Sequence, residues 1–237
     1  TINRLTGTGV VDTVVGGASV LTVGNADVSG VFTGAIRNTA GMLSLVKIGV
    51  GTQALARSSS YTGTTTIVSG ALDISGPGAQ IYSNSATVSS VVSVVSGSVL
   101  VVKHFGMAAD GSTSLGNLDN TAAAASVVLD GGTLRVSGDD GSARGRAIVL
   151  TTNGGTIEVS SGSFLMGNTD PVVANAYSNN ITLTISGVAT GRIDKVISGS
   201  GVSVLKMGTG IWTLNGTNTY TGKTIVTGGT LSFNTIG

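Results

Sequence analysis

Residues 45–74 read LVKIGVGTQALARSSSYTGTTTIVSGALDI, and residues 204–233 read VLKMGTGIWTLNGTNTYTGKTIVTGGTLSF. Laid over each other with Lys47 on Lys206, they need no gap. Lys47, Gly49, Gly51, Leu55, Tyr61, Thr62, Gly63, Thr65, Gly70 and Leu72 then meet Lys206, Gly208, Gly210, Leu214, Tyr220, Thr221, Gly222, Thr224, Gly229 and Leu231. Identity at a third of the aligned positions marks an internal repeat. Shorter echoes fill the interval between the copies. Gly131-Gly132-Thr133-Leu134-Arg135-Val136 and Gly154-Gly155-Thr156-Ile157-Glu158-Val159 lie 23 residues apart and repeat the ending Gly228-Gly229-Thr230-Leu231-Ser232-Phe233. Ser69-Gly70-Ala71-Leu72-Asp73-Ile74 and Ser96-Gly97-Ser98-Val99-Leu100-Val101 are looser versions, 27 apart. Spacings in the twenties suit one coil of a β-solenoid, in which two or three short strands are joined by tight corners. At roughly 20 to 25 residues a coil the whole chain, residues 1–237, makes one solenoid domain of about ten coils, about 50 Å long at the ~4.8 Å strand spacing.

The composition agrees with that reading. The 237 residues include 38 Gly, 2 Pro and no Cys, with 41% hydrophobic, 4% aromatic and 10% charged residues. Charge is well under half the average of about 25%, and glycine is more than twice the average of about 7%. Disorder requires low hydrophobicity and high net charge, whereas the formal charge is +1. Collagen requires glycine at every third position and abundant proline. With 12 basic and 11 acidic residues scattered singly, no face is basic enough for nucleic acid. In a solenoid, inward Val, Ile, Leu, Ala and Thr stack as ladders that have no room for charge, and glycine makes the corners with φ > 0. Leu72 and Leu231 are therefore expected to point inward, with Gly70 and Gly229 turning the corner before them.

The β-branched runs Val91-Val92-Ser93-Val94-Val95, Val99 to Val102 and Ala147-Ile148-Val149-Leu150 read as strands. Gly76-Pro77-Gly78, Asp130-Gly131-Gly132 and Asn153-Gly154-Gly155 read as turns. No window holds an amphipathic helical pattern over ten residues, so the fold class is all-β. The most apolar stretch, Ser90 to Val102, is interrupted by Ser93, Ser96, Gly97 and Ser98 and is too short for a membrane helix. Thr1 to Val10 lacks the basic and apolar regions of a signal peptide, so the sequence reads as a mature product or a fragment. Without Cys there are no disulfides or thiolate metal sites.

The second copy, from Leu205 through Leu231, resembles the passenger-associated transport repeat, also called the autotransporter-associated β-strand repeat. Lys206-Met207-Gly208-Thr209-Gly210, Leu214-Asn215-Gly216-Thr217-Asn218-Thr219-Tyr220, Gly222-Lys223-Thr224-Ile225-Val226 and Gly229-Thr230-Leu231 fit its pattern almost throughout. The first copy departs at Arg57 and Ser59, where that pattern has Gly and Asn, so a different corner is expected there. The resemblance implies a right-handed parallel β-helix in a large secreted or surface-displayed bacterial protein, with the repeat serving export and folding rather than catalysis. It also implies a C-terminal membrane barrel in the precursor. These residues, with 4 Phe, 4 Tyr and 1 Trp, do not contain one.

Candidate chemistry is sparse. His104 is the only histidine, so a nucleophile and base pair would rest on it alone; its place between Val99–Lys103 and Phe105 reads as strand or corner. No Gly-x-Ser-x-Gly elbow is present. Polysaccharide-cleaving enzymes group carboxylates on one face, and the densest charged region here is Asp130, Asp139 and Asp140 with Arg135, Arg144 and Arg146, one coil from the single glutamate, Glu158. Asp before Gly is ordinary turn chemistry, so these residues are read as capping loops. Asp110, Ser112, Ser114, Asn117, Asp119 and Asn120 lack the spacing of a Ca²⁺ loop, and residues 108–121 are read as a polar excursion from the solenoid. Gly208-x-Gly210 lacks the third glycine and helix of a nucleotide loop and reads as a corner. Trp212, Tyr61 and Tyr220 hold fixed places in the repeat and read as packing rather than as a sugar-binding face.

No catalytic, cofactor-binding or metal-binding residue is therefore assigned, and no enzyme activity or cofactor is expected. The expected function is a non-catalytic extracellular β-solenoid at the bacterial surface, either a displayed passenger segment or a subunit of an extracellular filament or sheath. Neither Thr1–Leu5 nor Thr230–Gly237 carries a capping helix or charge cluster, so self-association by head-to-tail stacking of end coils is expected. The alternatives are an adhesin binding host glycan or protein, through a loop such as 108–121, and a polysaccharide lyase or hydrolase.

Overall fold

In a computed structural model of the chain, residues 1–82, 91–106, 113–116, 127–139, 147–167, 172–174 and 180–236 are described. Among them there is no helix, and the strands wind as a parallel β-solenoid. Its first face is an eight-stranded sheet running from Ala18–Val23 through Met42–Lys47, Thr65–Ile67, Val92–Val95, Val127–Asp130, Ile148–Leu150 and Val172–Ala174 to Ile197–Ser198. The second face has nine strands: Gly30–Phe32, Thr52–Leu55, Ala71–Ile74, Val99–Val102, Thr133–Val136, Gly155–Val159, Ile181–Gly187, Val202–Lys206 and Thr224–Val226. The third face begins as the pair Val10–Thr13 and Ala35–Asn38 and ends as four strands, Ser163–Met166, Thr190–Ile193, Ile211–Asn218 and Thr230–Ile236. Between those sheets it continues through the bridges Ser58 to Gln80 and Asp139 to Ser163.

The tallest sheet is nine strands deep, fewer than the ten coils the spacing predicts, which makes it about 40 Å long at ~4.8 Å per strand. The shortfall comes from long coils. Val99 lies beside Thr133, so that coil takes 34 residues, and the polar segment 108–121 falls inside it. Of that segment only residues 113–116 are described.

Alternation decides which residues fill the interior. Leu43, Leu45 and Lys47 are buried in one strand while Ser44 and Val46 point outward, and Leu72 and Ile74 are buried on the next face. Across coils, inward residues form columns. One runs Val23, Lys47, Ile67, Val94, Leu129, Leu150, and another runs Leu72, Leu100, Leu134, Ile157, Ile185, Lys206. Leu72 is fully buried behind Gly70 at φ +67°, as the sequence predicts. Leu231, behind Gly229 at φ +65°, packs on the core but is only partly covered.

The two repeats do not lie one above the other. In the first copy, Met42–Lys47 and Thr65–Ile67 are on the first face and Thr52–Leu55 and Ala71–Ile74 on the second. In the second copy the matching strands, Val202–Lys206 and Thr224–Val226, are on the second face, and Ile211–Asn218 and Thr230–Ile236 on the third. From Lys47 to Lys206 the chain has thus made six coils and one additional face, about 25 residues a coil.

Candidate functional site

The outstanding local chemistry is two lysines inside the apolar columns. Lys47 and Lys206 are both 0% exposed. Lys47 occupies a place that is Val23 in the coil before and Ile67 in the coil after; Lys206 lies between Ile185 and Val226. Each ammonium is enclosed by main-chain carbonyls. Lys47 Nζ donates to the oxygens of Ile48 (2.6 Å), Gly49 (2.8 Å) and Ser69 (3.3 Å). Lys206 Nζ donates to those of Met207 (2.7 Å), Gly208 (2.9 Å) and Gly228 (2.9 Å). An ammonium has three N–H donors, so in both cages every donor meets a carbonyl. Burial holds both lysines below the usual lysine pKa, and Asp27 partly offsets this at Lys47.

The cages explain the glycines of Lys-x-Gly-x-Gly. Gly49 and Gly208 both take φ +70°, which brings two successive carbonyls, those of residues one and two beyond the lysine, onto Nζ. A Cβ at Gly229 would stand 2.7 Å from Lys206 Nζ and 2.4 Å from the Gly210 oxygen. In one coil without this lysine, the buried Ser98 Oγ lies 2.9 Å from the Ile67 oxygen and 2.6 Å from the Val95 oxygen and shares its single proton between them.

The rest of the motif is equally local. Tyr61 and Thr65 hydroxyls meet at 2.6 Å, as do those of Tyr220 and Thr224. In the second copy Asn218 Oδ1 accepts from the Ile197 N–H at 3.0 Å. In the first, Ser59 Oγ accepts from the Ile36 N–H at 3.1 Å, so the replacement of Asn by Ser keeps the same bond to the preceding coil. Gly216 needs its hydrogen because a Cβ would lie 2.4 Å from the Lys195 oxygen. At the corresponding position of the first copy, Arg57 is exposed.

Residues 45–74 and 204–233 match the family model of the passenger-associated-transport-repeat. The match covers these two stretches of the chain. No curated protein and no solved structure matches the chain.

Outside the transport repeats, the polar candidates have structural partners. His104 is buried, and its Nδ1 lies 2.7 Å from the Asp139 oxygen in the next coil. Arg135 and Glu158 are register neighbours on the second face and form a half-exposed ion pair at 3.0 Å. Asp130 is not drawn to it; its carboxylate accepts from Asn153 Nδ2 at 2.8 Å and from the Thr151 hydroxyl, closing the corner. Asp139 Oδ1 accepts from Ser163 Oγ on the third face. Ser114 Oγ accepts from the Lys103 and His104 N–H groups. Asp110, Ser112, Asn117, Asp119, Asn120, Asp140, Arg144 and Arg146 lie outside the described residues. Among the described residues no group of three or more His, Cys, Asp or Glu is placed to hold a metal ion.

The three aromatic candidates of the repeats pack in or against the core. Tyr61 and Trp212 are fully buried, and Tyr220 packs partly on the core. Trp212 folds back over Gly191, where a Cβ would meet its ring at 2.5 Å, and so reaches Phe164 at 5.8 Å between centroids. The sequence reading placed Lys47 and Lys206 in the motif without giving them a role. The available signal was a lysine at a fixed inward position in a chain with so little charge.

Proposed function

We propose that this chain is a non-catalytic, extracellular, surface-displayed β-solenoid of the autotransporter-passenger type. The observation that carries the reading is the pair of transport repeats built into the parallel solenoid, each with a buried lysine bonded to its own corner and to the following coil. Fusing residues 1–237 ahead of an autotransporter membrane barrel tests it. The expected result is protein on intact cells, cleavable by added protease; retention in the periplasm overturns the reading.

Self-association through end coils is the second part of the proposal. Core residues that are only partly covered include Leu5, Val11 and Leu21 in the first coils and Tyr220, Leu231 and Phe233 in the last. Val226 is 50% exposed, whereas Ile67, its counterpart in the first repeat, is fully buried beneath the next coil. The proposed occupant of that open edge is the first coil of a second copy, which continues the same parallel pairing. Sedimentation of the 237-residue chain is expected to show concentration-dependent oligomers; a monomer at every concentration overturns stacking and leaves the display reading intact.

A further inference from the structure

Apart from the charge of Asp27 in the preceding coil, felt by Lys47, the hydrogen bonds of the two buried lysines run in one direction only. The side-chain bonds of Lys47 go to its own corner, at Ile48 and Gly49, and forward by 22 residues to Ser69 in the following coil. Those of Lys206 go to Met207 and Gly208, and forward by 22 residues to Gly228. The third acceptor therefore exists only when the following coil has docked. Without that coil, one donor of the ammonium turns to water; with it, the charge is sealed in an apolar column with all donors satisfied. An aliphatic residue at the same place, such as Val23 or Ile67, makes no such distinction, because its packing involves the coils on both sides alike.

We propose that Lys47 and Lys206 are directional coil latches, carbonyl-caged cations that bind the following coil to the corner each lysine starts. Opening of the solenoid at a latch then releases the coil on the C-terminal side and leaves the coil on the N-terminal side closed. The proposal concerns the order of opening and does not depend on where the protein is displayed.

Three measurements on the full chain test it. The first is acylation of the unmodified protein with an amine-reactive ester, read by mass spectrometry. Lys47 is expected to react at least 100-fold more slowly than the exposed Lys103, because its ammonium is free only when the next coil opens; equal rates overturn the proposal. The second compares amide hydrogen exchange in the wild type and in Lys47→Met, whose side chain fits the column by length but offers no donor. Amides of the following coil, Thr65–Ile67 and Val68 to Ala71, are expected to exchange roughly tenfold faster or more, the size of one charge-assisted hydrogen bond. Amides of the preceding coil, Ala18–Val23, are expected to keep their wild-type rates. Unchanged protection, or equal loss on both sides, means that the lysine only fills space. In Lys47→Ala, added ethylammonium chloride is expected to restore protection of Thr65–Ile67 where sodium chloride at equal ionic strength does not; no difference between the salts overturns the caged-cation account. If neither variant folds, the acylation ratio still decides.

Discussion

A glycine at a corner of this solenoid is there for one of two reasons, and they predict different penalties. Gly97 takes φ +77° with open space where a Cβ would go, whereas Gly70 takes φ +67° with a Cβ only 2.4 Å from the oxygens of both Gly49 and Gly51. Gly97→Ala should cost only the left-handed conformation, about 1–2 kcal/mol. Gly70→Ala should cost at least twice as much, since backbone of the preceding coil must move as well; urea denaturation of the two variants checks the order. Tyr61 supplies a pH dependence. Its hydroxyl is buried and bonded to Thr65, and burial raises its pKa well above the usual value, with Tyr82 adding to the shift. The unfolded chain loses that proton near pH 10 while the folded chain keeps it. Stability from this group is therefore complete below pH 10 and falls as pH climbs toward the raised folded value. Tyr61→Phe should lose roughly 1 kcal/mol at pH 7 with its hydrogen bond and show a shallower decline in stability above pH 10, measured by denaturation at pH 9, 10 and 11.

At the scale of strands and corners, much of the fold was legible because the periods are local. Alternation in LVKIGVG and the Gly-Gly-Thr-Leu endings predict strands and corners that the structure contains, and Thr133–Val136 and Gly155–Val159 pair in register across one coil. What was not legible is the face each repeat occupies. That depends on the summed length of every intervening coil, and the 34-residue coil between Val99 and Thr133 shifts the register of all that follows. The cages were equally hidden: Lys47 and Lys206 were visible as repeated residues, but the third carbonyl of each cage depends on how the next coil settles, 22 residues on. The third face shows the same limit. Phe105, Phe164 and Trp212 come from distant segments, yet their rings line up at 5.6 and 5.8 Å. Phe164 is the middle member and 1% exposed, so Phe164→Ala should cost about 3–5 kcal/mol. Because Trp212 is the single tryptophan, the same variant should shift native fluorescence to longer wavelength. An unshifted spectrum would mean that the stack closes over the gap.

The whole molecule is a stack in which each coil pairs through its backbone with the coils before and after it, and only a few side chains such as Trp212 and Gln53 reach two coils away, so its stability is mainly a sum along one axis rather than a single cooperative core. In the middle, Val92, Val94, Leu100, Leu134 and Ile157 are all fully buried. At the far end, Thr224–Val226 is exposed along its length although it repeats the motif of the buried Thr65–Ile67. The two repeats thus form an internal comparison: similar sequence, different cover. In hydrogen exchange at low protein concentration, amides of Thr224–Val226 should exchange well before those of Thr65–Ile67, and the strands Val99–Val102 and Thr133–Val136 should exchange last. Raising the concentration separates the causes of that difference. If the last coil is weak because its outer face lacks a neighbour, a second copy docking there protects Thr224–Val226 and leaves the middle strands as they were. If protection of Thr224–Val226 stays low while oligomers form, the copies meet through some other surface and the end coil is not the acceptor.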